Sequence, residues 1–152
     1  MITEDLPRLA EEPHTSGDQE VYSIEVNYQD RLAGFAFLKS HVSPNYGLPD
    51  YLQGSLNLIG PSVEPEFRRR GYGKLLLERA VEYANRTNTQ IVTKAISIEE
   101  DVISVKELTE FYKQYGFKQD PKDPKSKFLV YTPVGLPEEV LVWKSVKLIF
   151  LM

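Results

Sequence analysis

A sheet of α/β or α+β class with helices packed on it is predicted by three features of this 152-residue chain. Tyr22, Ile24, Val26 and Tyr28 alternate with polar neighbours, which is the period of a half-buried strand. After Pro65 the period changes to about 3.6, and short apolar runs return after each of two helical segments. The predicted order is strand, strand, strand, helix, strand, helix, strand, strand, in one domain over residues 1–152.

Residues 1–19 mix acids with Pro7, Pro13 and Gly17, so an irregular start with at most one short helix after Asp5 is expected. From Glu20 the alternating run forms a strand, Gln29-Asp30-Arg31 turns the chain, and Leu32 to Ser40 returns as the second strand of a hairpin. Residues 41–50 carry Ser43, Pro44, Asn45, Gly47 and Pro49, a loop composition, and a third strand is predicted from Leu52 to Val63. Leu76, Ala80 and Tyr83, with Leu77, Val81 and Ala84, mark one buried face of a helix from about Tyr72 to Asn85. Ile91 to Ser97 reads as a short buried strand. Ser104 and Glu107 have capping-box spacing, in which each side chain satisfies a backbone N–H at the other end of the first turn, so a second helix starts there. Gly116 can adopt the left-handed conformation that ends it. Two last strands, Lys127 to Thr132 and Glu139 to Phe150, flank the turn-rich Pro133 to Pro137. Val140, Val142, Val146, Leu148 and Phe150 share one face of the final strand, and a second copy of the chain is one way to cover it, which predicts a homodimer.

Composition removes several function classes. The net charge is -4 and the isoelectric point near 5.3, so the basic footprint of a nucleic-acid-binding domain is missing. No cysteine is present, which excludes disulfides, zinc-thiolate sites and cysteine nucleophiles. No His/Asp/Glu cluster has ligand spacing, so no metal is expected. The start Met1-Ile2-Thr3-Glu4-Asp5 does not resemble a signal peptide, and the apolar stretch 140–152 is too short to span a bilayer, so a cytoplasmic protein without membrane partners is expected.

One local charge pattern runs against the acidic whole. Arg68-Arg69-Arg70-Gly71-Tyr72-Gly73-Lys74 lies between a strand and a helix start, where backbone N–H groups lack intrahelical partners and favour an anion. Glycines there let the chain turn and let a phosphate approach the backbone. A solvated turn explains the same residues about as well when they are taken alone. The pattern is neither a Walker loop nor a dinucleotide fingerprint, which leaves ATP and NAD as poor ligands.

The run Val63-Glu64-Pro65-Glu66-Phe67-Arg68-Arg69-Arg70-Gly71-Tyr72-Gly73-Lys74-Leu75-Leu76 resembles the acetyl-CoA motif of the GNAT acetyltransferase superfamily, V-x-P-x-[YF]-[RQ]-x-x-G-[IVY]-[GA] before an apolar helix. Phe111-Tyr112-Lys113-Gln114-Tyr115-Gly116-Phe117 is similar to its second signature, [LF]-Y-x-x-x-G-F. The resemblance covers about residues 20–150 and implies a mixed, mostly antiparallel sheet flanked by helices, here with a shortened N-terminal region. It implies acetyl-CoA as co-substrate and a primary amine as acceptor. By the same resemblance, pantetheine lies in a gap where the strand ending at Val63 splays from its neighbour, and the Val63 N–H polarises the acetyl carbonyl. The resemblance also places Arg68, Arg69, Arg70, Gly71, Tyr72, Gly73 and Lys74 at the pyrophosphate.

Acetyl transfer needs a neutral amine, a polarised carbonyl and a proton for the departing thiolate. Tyr112 matches the family's proton donor, and a phenol near its ordinary pKa holds a proton at neutral pH. Helical spacing with Val105, Leu108, Phe111 and Tyr115 would equally make Tyr112 a core residue. Where some relatives have a glutamate base, six residues before Val63, this chain has Asn57, which could position a water but not take up a proton. Glu25, Glu64, Glu99, Glu100, Asp101, His14 and His41 are other titratable groups, without a motif to single one out. Val105 replaces an asparagine that often contacts CoA, and the helices that wall the acceptor site in relatives have no counterpart before Val21. A module that keeps the CoA cradle for sensing or assembly is therefore the second reading.

Overall fold

In the computed structural model, which describes residues 6–17, 19–40, 47–94, 104–120, 122 and 127–133, seven strands form one sheet in the order β1-β2-β3-β4-β5-β7-β6. The strands are β1 (Arg8–Ser16), β2 (Gln19–Tyr28), β3 (Arg31–Lys39), β4 (Leu56–Val63), β5 (Ile91–Lys94), β6 (Lys118–Gln119) and β7 (Phe128–Tyr131). Every neighbouring pair is antiparallel except β4 with β5. The helices are α1 (Tyr72–Thr87) and α2 (Val105–Lys113). This is the mixed, mostly antiparallel sheet with helices that the sequence predicts.

The expectation of an irregular or helical start is overturned by β1, which pairs with β2 from Arg8↔Asn27 to Ser16↔Gln19. Pro13 and the acids conceal the alternation, yet an edge strand tolerates both, because a proline there need not donate to a ladder and charge discourages pairing with another molecule. Tyr22 on β2 donates to Glu11 of β1 (3.1 Å), and burial pushes the Tyr22 phenol up. The turn from β2 to β3 places Gln29 and Asp30 both at positive φ, 49° and 65°, as a two-residue hairpin with matched twist requires.

Alternation sends the two faces of the sheet to different clusters. Ile24, Val26, Ala36, Leu38, Leu58, Ile91, Leu129 and Tyr131 bury with Leu76, Leu77, Ala80 and Ala84 of α1 and with Tyr112 of α2. Val92, Phe128 and Val130 point the other way and are covered by Leu52 and Leu48. Leu52 therefore belongs to a short 3-10 turn, Asp50–Leu52, and not to the third strand, which begins only at Leu56 after Gly54 has reversed the chain at φ 91°. Helix α1 ends at Asn88 in the left-handed conformation, with the Thr89 N–H bonded to the Ala84 carbonyl (3.0 Å). Helix α2 begins with the full Ser104–Glu107 capping box, and Gly116 follows it at φ 93°. The strand predicted over 139–150, with the apolar face that motivated a homodimer, lies outside the described residues, as do His41, Glu99, Glu100 and Asp101.

Candidate active site

The parallel pairing of β4 with β5 is short. It comprises Leu56↔Ile91 and Asn57↔Val92, and one residue further the buried Thr93 hydroxyl donates to the Leu58 carbonyl (3.1 Å). From there β4 continues to Val63 along β3, with no β5 partner among the described residues. The described residues of β5 end at Lys94, so the pairing described for β4 from Ile59 to Val63 is that with β3.

Two features of β4 interrupt its ladder with β3. Between Phe35↔Ser62 and Phe37↔Ile59 the register shifts, so Gly60 and Pro61 of β4 face Ala36 alone, a bulge with Gly60 at φ 95°. At the strand end, Glu64 N–H donates to the Ala33 carbonyl (2.8 Å), which makes Gly34↔Val63 a pair without mutual hydrogen bonds. The N–H and C=O of Val63 then point away from β3. Its carbonyl accepts from Arg68 Nε (3.0 Å), and its N–H is directed away from β3. Gly34 permits this close pairing, since a Cβ there would lie 2.8 Å from the Ser62 carbonyl oxygen and 3.2 Å from Val63 Cγ2.

Tyr112 of α2 reaches β4. Its buried ring packs beside Phe111 and Phe117, with centroids 5.8 and 5.4 Å away, and its hydroxyl donates to the Gly60 carbonyl (2.8 Å). Core packing and site position thus coincide in one residue. Tyr115, one turn away, is pushed up by burial and by the Glu78 carboxylate.

The segment from Val63 to α1 runs through a short 3-10 turn, Pro65–Phe67, and then Arg69 at φ 64° and Gly71 at φ 84°. Gly71 caps α1 without a side-chain hydrogen bond, and the first helical bond runs from Leu75 N–H to the Gly71 carbonyl (3.0 Å). The N–H groups of Tyr72, Gly73 and Lys74 consequently have no partner within the helix, and its first turn carries no acid. The two glycines play unequal parts. Gly71 is required by its left-handed backbone, although a Cβ added there would meet nothing within 4 Å, whereas a Cβ on Gly73 would make ordinary contacts of 3.9 Å with Val63 Cγ2 and 4.0 Å with Phe111 Cζ.

Side chains of the basic run diverge. Arg68 turns back to Val63, Tyr72 is buried in the core, and Arg69 and Lys74 are exposed beside the helix start. Arg70 lies over the rings of Tyr28 and Phe67, at 5.4 and 5.1 Å. Arg31 also lies over Phe67, at 5.2 Å, and grips Glu66 with both guanidinium nitrogens, one bond measuring 3.0 Å. Hydrogen bonding to Arg31 holds the exposed Glu66 carboxyl below the usual carboxylate range.

Asn57 is 1% exposed, with Nδ2 3.3 Å from the Lys39 carbonyl and 3.4 Å from that of Ser55, while Oδ1 has no partner among the described residues. Of the other titratable groups considered from sequence, Glu64 is exposed just beyond β4, Glu25 is half-buried on β2, and His14 Nε2 lies 2.6 Å from Ser23 Oγ on the sheet edge. Gly34, Gly60 and Thr93 were not singled out by sequence reasoning, although an isolated glycine inside a strand pattern is a recognised sign of a bulge or close approach. Among the described residues no group of three or more His, Asp or Glu could hold a metal ion, and no helix is long and apolar enough to cross a membrane.

Comparison with known proteins supplies a family. A family model described as "Acetyltransferase (GNAT) domain" matches residues 17–119. The uncharacterized N-acetyltransferase MJ1207 of Methanocaldococcus jannaschii is 39% identical over 57 residues, 38% of this chain and 23% of that protein. The chain thus spans about a quarter of the length of that relative. Among solved structures, Methanocaldococcus infernus Elp3 with an N-terminal deletion is similar with a TM-score of 0.58 at 13% identity, covering 83% of this chain and 30% of Elp3. The anti-CRISPR protein AcrVA5 gives 0.52 at 19% identity, covering 72% of this chain and 98% of its own. At these identities the two structures attest the fold, while the family model spans both β4 and the helix start described above. The chain belongs to the GNAT acetyltransferase family.

Proposed function

We propose that this chain binds acetyl-CoA with its pantetheine arm along β4 near Val63 and transfers the acetyl group to a primary amine of a small molecule, peptide or protein. The observation that supports the reading is that Val63 N–H is directed away from β3, the Tyr112 hydroxyl reaches the same strand at Gly60, and α1 starts uncapped shortly after that strand ends. These residues fit the ligand. A pyrophosphate needs several N–H donors, positive charge and no nearby acid, which Arg69 to Lys74 offer in backbone and side chain. An acyl carbonyl needs a fixed N–H donor, for which Val63 is directed away from β3.

Acetyl-CoA supplies a thioester carbonyl, whose carbon forms the new C–N bond as the C–S bond breaks. Val63 N–H stabilises negative charge on the carbonyl oxygen. The Tyr112 phenol, its ring fixed by packing, turns its hydroxyl proton from the Gly60 carbonyl to the thiolate sulfur, the amine nitrogen loses one proton to solvent, and the tyrosinate takes one back from solvent. Asn57 enters as a group that can hold a water through its unpaired Oδ1, not as a base.

Calorimetric titration with CoA and with pantetheine tests the phosphate half of this reading. CoA should bind at least about tenfold more tightly, because charge-assisted hydrogen bonds to the pyrophosphate contribute roughly 1.5–3 kcal/mol each. Equal affinities would remove the Arg69–Lys74 segment from the site.

A further inference from the structure

We infer that Arg70 is a positioning residue and that the tip of the β2–β3 hairpin clamps the phosphate-binding segment in its anion-ready shape; this rests on the CoA reading above. Tyr28 and Arg31 face each other as the residues that close the two-residue turn at Gln29 and Asp30. Both reach the segment that connects β4 to α1. Arg70 covers Tyr28 at 5.4 Å and Phe67 at 5.1 Å, while Arg31 covers Phe67 at 5.2 Å and binds Glu66 with both guanidinium nitrogens. Phe67 is 4% exposed and packs against Tyr28 and Tyr72, with centroids 5.9 and 6.3 Å away. One buried ring is thus held by cations from two segments.

The position of the clamp explains what it does. Arg69 and Gly71, on either side of Arg70, both have left-handed backbone, and Arg69 has a Cβ that makes this conformation unfavourable without support. Anchoring the side chain between them over Tyr28 and Phe67 fixes the segment on both flanks. The Arg70 guanidinium is then engaged with aromatic faces and directed to the hairpin, so its charge acts on an anion from a distance while its geometry sets where the N–H groups of Tyr72, Gly73 and Lys74 point. Charge at Arg70 alone does not suffice; the tyrosine beneath it is required.

Calorimetric titration of CoA and pantetheine into Tyr28→Leu, Arg70→Gln and their double variant separates the roles. Each aromatic–cation contact at an exposed site corresponds to roughly a two- to fivefold factor, so the clamp predicts that each single variant weakens CoA binding about three- to tenfold. The double variant should be no weaker than the poorer single, pantetheine affinity should stay at the parent's value, and Tyr28→Phe should restore CoA affinity because it keeps the ring face. Tyr28→Leu removes no charge, so its CoA affinity should fall with added salt as steeply as the parent's. Normal CoA affinity in Tyr28→Leu beside a loss in Arg70→Gln, or losses that multiply in the double variant, would assign Arg70 to direct phosphate contact and overturn the clamp. Normal affinity in both variants would also overturn it. If Tyr28→Leu does not fold by its thermal transition, Arg31→Gln, on the exposed side of Phe67, carries the same expectation. A parent that binds CoA and pantetheine equally would instead reject the underlying site reading.

Discussion

Tyr112→Phe is expected to lower the rate of acetyl transfer by about 10² to 10⁴-fold, the usual contribution of a general acid, while acetyl-CoA affinity changes little. The ring is fixed by Phe111 and Phe117 whether or not it carries a hydroxyl, so the substitution keeps the packing. It deletes the proton donor and the 2.8 Å bond to Gly60. Loss of that half-buried bond should cost about 1 kcal/mol of stability, far too little to account for the lost rate. Single-turnover measurement with preformed acetyl-CoA complex isolates the chemical step from product release. An unchanged single-turnover rate would return Tyr112 to a purely structural role.

Gly60→Ala is expected to be far more damaging than Gly71→Ala. At φ 95° an alanine is strained, and its Cβ would lie 3.0 Å from the Phe35 carbonyl oxygen and 3.1 Å from Ser62 N, both backbone atoms that β3–β4 pairing holds in place. Left-handed strain of about 1–2 kcal/mol and overpacking of about 1–3 kcal/mol sum to roughly 2–5 kcal/mol, on the order of 5–15 °C in melting temperature for a chain of this length. Gly71→Ala is the natural comparison, because its φ of 84° carries similar strain with nothing within 4 Å of the new Cβ. Thermal unfolding followed by circular dichroism should show Gly60→Ala well below Gly71→Ala. A Gly60→Ala variant as stable as Gly71→Ala would mean that β3 and β4 part easily at the bulge.

These two residues also mark where sequence reading succeeds and where it stops. The place of Tyr112 on the buried face of α2 was legible from helical spacing, and the Ser104–Glu107 box before it is a local device whose two side chains contact only their own turn. The same locality made α1 and the β2–β3 hairpin readable. Gly60 was hidden inside a run read as a continuous strand, since a bulge is a property of two strands and shows only when the partner register is known. Strand β1 was hidden for a related reason: Pro13 and its acidic neighbours look like loop residues until β2 provides an edge on which they are tolerated. Charge is legible and direction is not. Arg68, Arg69 and Arg70 are equivalent letters in the sequence, but one turns to the Val63 carbonyl, one stays exposed at the helix start and one lies over Tyr28 and Phe67.

The central claim, acetyl transfer to an amine, is tested most directly by following free CoA thiol release from acetyl-CoA across a panel of polyamines, lysine-containing peptides and peptide N-termini. The geometry at Val63 and Tyr112 predicts that at least one amine class accelerates thiol release well above hydrolysis, with an equal amount of N-acetyl product by mass. Tight binding of acetyl-CoA with no acceleration by any amine would contradict it, and would leave a GNAT domain that uses its cradle for sensing or assembly.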